Sequence, residues 1–154
     1  MNSDTSSLTH LGKLSPIEHD PLKVKLDYFR NPHPEQLYAV RFSIPEFQSL
    51  CPATGQPDVA TILIDYVPDL YMVESKSLKL YMFAFRNHGA FHEDVTVTIG
   101  KRLEEEMRPV WIRIAGFFNA RGGISIDTVW ENGDLPKSVK PLSIDTFRPY
   151  HNRM

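Results

Sequence analysis

The hydrophobic pattern of this chain changes period twice, and that limits the folds open to it. Residues 37–44 alternate apolar and polar positions, and residues 59–67 are rich in β-branched side chains, so both stretches read as strands. Pro45 is expected to end the first, and Pro68-Asp69 the second. The spacing then turns helical. Leu78, Met82 and Phe85 share one face of residues 75–85, and Val95, Ile99 and Leu103 share one face of residues 91–107. Asn87-His88-Gly89 reads as the stop between these helices. Glu93 and Asp94 suit the dipole at the start of the second helix, whereas Glu104, Glu105 and Glu106 at its far end need a cation or solvent. Residues 111–118 and 124–130 return to strand character around an Arg121-Gly122-Gly123 turn. The order predicts an α+β domain, with an antiparallel four-stranded sheet and both helices on one face.

A chain of 154 residues is long enough for one real core. Its 42% hydrophobic and 23% charged residues are ordinary for a soluble globular protein. The net charge of −2 gives no global pull toward nucleic acid or an anionic membrane. No apolar run approaches the ~20 residues of a membrane span. The polar, Ser/Thr-rich start lacks the features of a signal peptide, so the cytoplasm is the expected location. Residues 1–20 read as a flexible arm and residues 21–154 as a single domain, whose stretch after Pro136 carries little pattern. A four-stranded sheet with helices on one face leaves two edges and one face to cover. Assembly through sheet edges, with sites where subunits meet, is the natural solution.

Chemistry concentrates at a few places. Cys51 is the single cysteine, so an internal disulfide is impossible and a cysteine-built zinc site lacks its ligands. It opens Cys51-Pro52-Ala53-Thr54-Gly55-Gln56-Pro57-Asp58, a turn-prone loop. Such a thiol is either inert core or a nucleophile, and an acid held on the same loop is what covalent catalysis with proton delivery needs. With no Lys, Arg or His close in sequence, an activating cation has to come from elsewhere in the fold. In Val73-Glu74-Ser75-Lys76-Ser77-Leu78-Lys79, Ser75 is placed to cap the helix, and Lys76 and Lys79 share a face that can meet phosphates or simply be solvated. At Phe91-His92-Glu93, the carboxylate can take two parallel hydrogen bonds from an amidine-like edge such as that of guanine, and His92 can move a proton. Gly89 argues against one helix carrying both His88 and His92 as metal ligands, so no metal is expected. Arg121 on its Gly-Gly turn is suited to grip a phosphate, or is a plain solubilising turn residue.

Together these motifs resemble the 7-cyano-7-deazaguanine reductases of queuosine biosynthesis, in their short single-domain form, over about residues 37–130. The most specific element is Glu74-Ser75-Lys76-Ser77-Leu78-Lys79-Leu80-Tyr81. The resemblance implies a tunnelling fold, rings of subunits, and a homo-oligomer of two stacked pentameric rings with sites between neighbours. It also implies reduction of the nitrile 7-cyano-7-deazaguanine to the aminomethyl product with two NADPH. Cys51 is then the nucleophile that forms a thioimide, Asp58 the general acid, and His92 a later proton carrier. Val73, Glu74, Ser75, His92 and Glu93 are implied to bind the base, and Lys76, Lys79 and Arg121 the NADPH phosphates. One rival is a zinc-dependent cyclohydrolase on the same fold, whose ligand set this sequence lacks. Another is a non-catalytic ring-forming module that binds a purine- or pterin-like ligand.

Overall fold

The structure is a computed structural model and describes residues 18–140, 143 and 144. Most of the expected arm, and the chain end beyond residue 144, lie outside the described residues. Strands β2 (Val40–Leu50), β3 (Pro57–Val67), β5 (Trp111–Arg121) and β6 (Ile124–Gly133) form one antiparallel sheet in the order β2-β3-β5-β6. Helices α1 (Ser75–Ala84) and α2 (His92–Met107) lie between its two halves in sequence. A single 3₁₀ turn, Phe85–Asn87, follows α1. Strands β1 (Tyr28–Arg30) and β4 (Tyr71–Val73) pair as a separate two-stranded sheet that the sequence pattern did not reveal. At three residues each, they are too short to carry a period.

Both helices cover one face of the large sheet. Ile62, Ile64 and Ile114 of that face share a core with Leu78 and Met82 of α1 and Ile99 and Leu103 of α2. The helices run in opposite senses. The start of α1 lies near the end of α2, where Glu106 accepts a hydrogen bond from Tyr28, whose strand partner is Val73. The segment after α1 lies near the start of α2, where His88 bonds to Leu50. The acidic end of α2 finds its cation in Arg102, whose Nε lies 2.8 Å from Glu106. On the opposite face, Asp65 sits in one row between Arg41 and Arg113, its register partners on the flanking strands, and is ion-paired to both.

Two expectations need correction. Strand β2 does not stop at Pro45 but runs on to Leu50, with a register shift between Ile44 and Phe47. A proline removes a ladder donor, and an irregularity on an edge strand is a place where that donor is not needed. Ser75 is not the cap of α1. Glu74 is, and its carboxylate accepts from the backbone N–H groups of Lys76 and Ser77, both at 2.8 Å. Close approach holds α2 on the sheet. A Cβ on Gly116 of β5 would come within 2.5 Å of Thr96 Oγ1, so only glycine admits the helix at this depth.

Candidate active site

The long run of β2 brings Cys51 to the end of the sheet. The Cys51 N–H donates to the Gln56 carbonyl (2.8 Å), and the Gly55 N–H donates to the Cys51 carbonyl (2.9 Å), closing a tight turn. Gly55 adopts a positive φ of 67°, which fits glycine. The turn is docked on the segment leading into α2. Leu50 donates to His88 (3.0 Å) and accepts from Ala90 (3.1 Å). Cys51 as a residue is only 7% exposed.

That thiol is held below its ordinary value, at about 7. The Thr54 hydroxyl contributes most, followed by the backbone N–H groups of Thr54 and Ala53. Burial works in the other direction, and Arg121 adds a further donor. The distant cation that the sequence required is thus Arg121, supplied by the last residue of β5. Thr54 carries no motif that announces this role. Its contribution comes from the turn that folds its hydroxyl back over the sulfur.

Asp58 is the second residue of β3 and is 5% exposed. Arg121 Nη1 lies 2.7 Å from its Oδ1, and His92 Nε2 lies 3.0 Å from its Oδ2. The His92 contact is out of line for a hydrogen bond. Asp58 Oδ2 and both ring nitrogens of His92 are buried without a hydrogen-bond partner among the described residues. The imidazole is fixed instead by stacking on Phe118 of β5, with ring centroids 4.0 Å apart and planes 10° apart. Phe118 leaves no mark in the local sequence, because its contact with His92 is purely tertiary. A lowered thiol and a buried carboxyl linked by one guanidinium, with a histidine beside the carboxyl, can form and break a covalent bond while moving protons.

The other expected residues lie elsewhere on the chain. Glu93 is exposed in the first turn of α2, beside His92. Val73 and Glu74 are buried and Ser75 is exposed, all at the start of α1. The α2 helix separates these two groups. Its 16 residues span about 24 Å at ~1.5 Å per residue. Lys79 and Arg86 line a groove of about 460 Å³ between α1 and the edge strand β2, with Phe47, Leu78 and Met82 also in its wall. Lys76 is half-buried on the same helix. Arg121 is already bonded to Asp58, with its side chain 41% exposed. Among the described residues, no group of three or more His, Cys, Asp or Glu is placed to hold a metal ion. No described helix is long and apolar enough to cross a membrane.

The sheet with two helices on one face places the chain among the tunnelling-fold proteins. The apo structure of the archaeosine synthase QueF-Like matches it with a TM-score of 0.58, over 64% of this chain and 96% of that one, at 19% identity. That likeness speaks for the fold alone. The family model described as QueF-like protein matches residues 57–137. A relative from Zymomonas mobilis subsp. mobilis is 57% identical over 145 residues, covering 94% of this chain and 98% of its own. One from Methylorubrum extorquens is 55% identical over 153 residues, covering 99% of each. Both relatives are named NADPH-dependent 7-cyano-7-deazaguanine reductase. The chain belongs to the QueF-like family.

Proposed function

We propose that this protein reduces the nitrile of 7-cyano-7-deazaguanine to 7-aminomethyl-7-deazaguanine, consuming two NADPH in queuosine biosynthesis, through a thioimide on Cys51. The observation that carries the reading is a thiol lowered to about 7 that shares Arg121 with the buried Asp58–His92 pair. The Cys51 thiolate bonds to the nitrile carbon. The displaced π pair moves to nitrogen, which takes the proton of Asp58. The thioimide accepts hydride more readily than the nitrile does, which is the gain from covalent catalysis. When bound, NADPH supplies one hydride in each of two rounds. Between the rounds the sulfur–carbon bond breaks and Cys51 leaves as thiolate. His92, next to Asp58, assists the later proton transfer.

Glu93 anchors the amidine-like edge of the base, with His92 beside it and Val73, Glu74 and Ser75 as the opposing wall. In one chain these groups stand at opposite ends of α2, farther apart than a bicyclic base can span. That separation supports a site built between copies. Long outer edges on β2 and β6, each without a strand partner among the described residues, support head-to-tail pairing that closes a ring. Two stacked pentameric rings are the assembly that we propose. Lys76, Lys79 and Arg121 hold the NADPH phosphates. Lys79 fits this role as an exposed cation in an open groove, and Arg121 retains donors beyond the one spent on Asp58.

Intact-protein mass measurement tests the chemistry. Wild type incubated with 7-cyano-7-deazaguanine alone should gain the mass of one whole substrate, and NADPH should discharge it. Cys51→Ala should assemble and gain nothing. Absence of both adduct and NADPH oxidation in wild type would leave a purine-binding module as the better description.

A further inference from the structure

We propose that Ser49 is a positioning residue for Asp58, and that its hydroxyl takes up the free carboxyl oxygen as Asp58 gives and regains its proton. This inference rests on the nitrile-reductase reading. Ser49 lies on β2 directly opposite Asp58 on β3. Side chains alternate along a strand. Ser49 therefore shares the helix-covered face with Phe47, and Asp58 shares it with Ala60, both members of the main core. Ser49 is 1% exposed, and its Oγ has no hydrogen-bond partner among the described residues. Of the other unpartnered buried atoms among the described residues, Tyr66 Oη lies farther along β3, and the remaining three are Asp58 Oδ2 and both ring nitrogens of His92. Buried polar groups in folded proteins are nearly always paired, so orphaned atoms on Asp58 and on both Ser49 and His92 call for an explanation.

Their chemistry supplies one. Directly opposed residues of an antiparallel pair hold their Cβ atoms about 4.5–5.5 Å apart. A side-chain rotation then brings Ser49 Oγ within reach of Oδ2. Arg121 can only donate, and it holds Oδ1 whatever the charge on Asp58. A hydroxyl both donates and accepts. While Asp58 is a carboxylate, Ser49 donates to it. Once a proton returns to Oδ2, Ser49 turns and accepts from the carboxylic acid. Ser49 keeps its own proton throughout, and only Asp58 and its proton source change. The charged and titratable groups around Asp58 are His92 from α2, Arg121 from β5 and, through Arg121, Cys51 at the end of β2. None of them can alternate in this way on Oδ2 without changing its own charge or tautomer.

Ser49→Ala removes one oxygen and Ser49→Thr restores it. In Ser49→Ala, kcat should fall by about tenfold or more with KM within about twofold, since one hydrogen bond to a charged group is lost at a proton-transfer step. The solvent deuterium isotope effect on kcat should rise, and Ser49→Thr should recover most of both. An unchanged kcat, or a loss with the isotope effect unmoved and no rescue by threonine, would overturn the proposal. A second measurement does not depend on turnover. In carboxyl NMR of isotope-labelled aspartate, the Asp58 resonance should change on Ser49→Ala and return toward its wild-type position in Ser49→Thr. An Asp58 resonance that is the same in all three proteins would sink the role of Ser49 even in an active enzyme. A wild type that forms no adduct and oxidises no NADPH would instead remove the reductase reading.

Discussion

At the scale of single residues, the thiol of Cys51 sets the pH dependence. Only the thiolate attacks a nitrile carbon, and a thiol held at about 7 is half ionised near neutrality. Adduct formation should therefore accelerate as pH rises through about 7 and level off above it. Thr54→Val keeps the shape of the side chain and removes the largest cause of the lowering. The midpoint of the rate profile, and of the ultraviolet thiolate absorbance, should move up toward the ordinary thiol range. A midpoint that stays put would assign the lowering to the backbone N–H groups and Arg121 alone. The sequence points to Cys51, Asp58 and His92, which the fold brings together, because one loop carries the thiol and the acid, and a helix start carries the histidine. It does not point to Thr54, Phe118 and Ser49. The first acts through turn geometry, the second by stacking across the fold, and the third through strand register. None of these leaves a mark on local sequence.

At the scale of elements, legibility followed the length of the pattern. Strands β3 and β5 and both helices each present enough residues for a period to stand out, and each is found within a few residues of its expected place. Strands β1 and β4 are short, and their partners lie more than 40 residues apart, so only the folded chain defines them. Strand β2 outruns its sequence pattern because Pro45 breaks a regular ladder but not an irregular edge. Glu74 departs from its pattern in a similar way. Glu is outside the preferred cap residues Ser, Thr, Asp and Asn, yet the Glu74 carboxylate accepts from two backbone N–H groups at 2.8 Å, and the residue is 7% exposed. Loss of that cap in Glu74→Ala should cost about 1 kcal/mol, within the usual ~0.5–2 kcal/mol for a helix N-cap. Denaturant unfolding of the variant would measure it. A difference below a few tenths would mean that solvent satisfies the start of α1, leaving ligand binding as the sole role for Glu74.

At the scale of the whole molecule, the separation of the two binding groups along α2 makes a prediction that a single-chain site cannot share. Cys51→Ala should be inactive because it lacks the nucleophile. Ser75→Trp should be inactive because bulk at the exposed first residue of α1 fills the wall we propose opposite Glu93, while leaving the core untouched. Each variant keeps intact what the other has lost. When the two are dissociated, mixed in equal amounts and reassembled, about one site in four should combine an unaltered Cys51 half with an unaltered Ser75 half, as random arrangement around the proposed ring requires. Activity should return to about a quarter of wild type, and only after subunit exchange. Mixing without dissociation should give none. If exchanged mixtures stay inactive while light scattering shows intact mixed assemblies, then Cys51 and Ser75 serve the same chain. The start of α1 must then reach the nucleophile by a rearrangement of about the length of α2, which the packed core between them opposes.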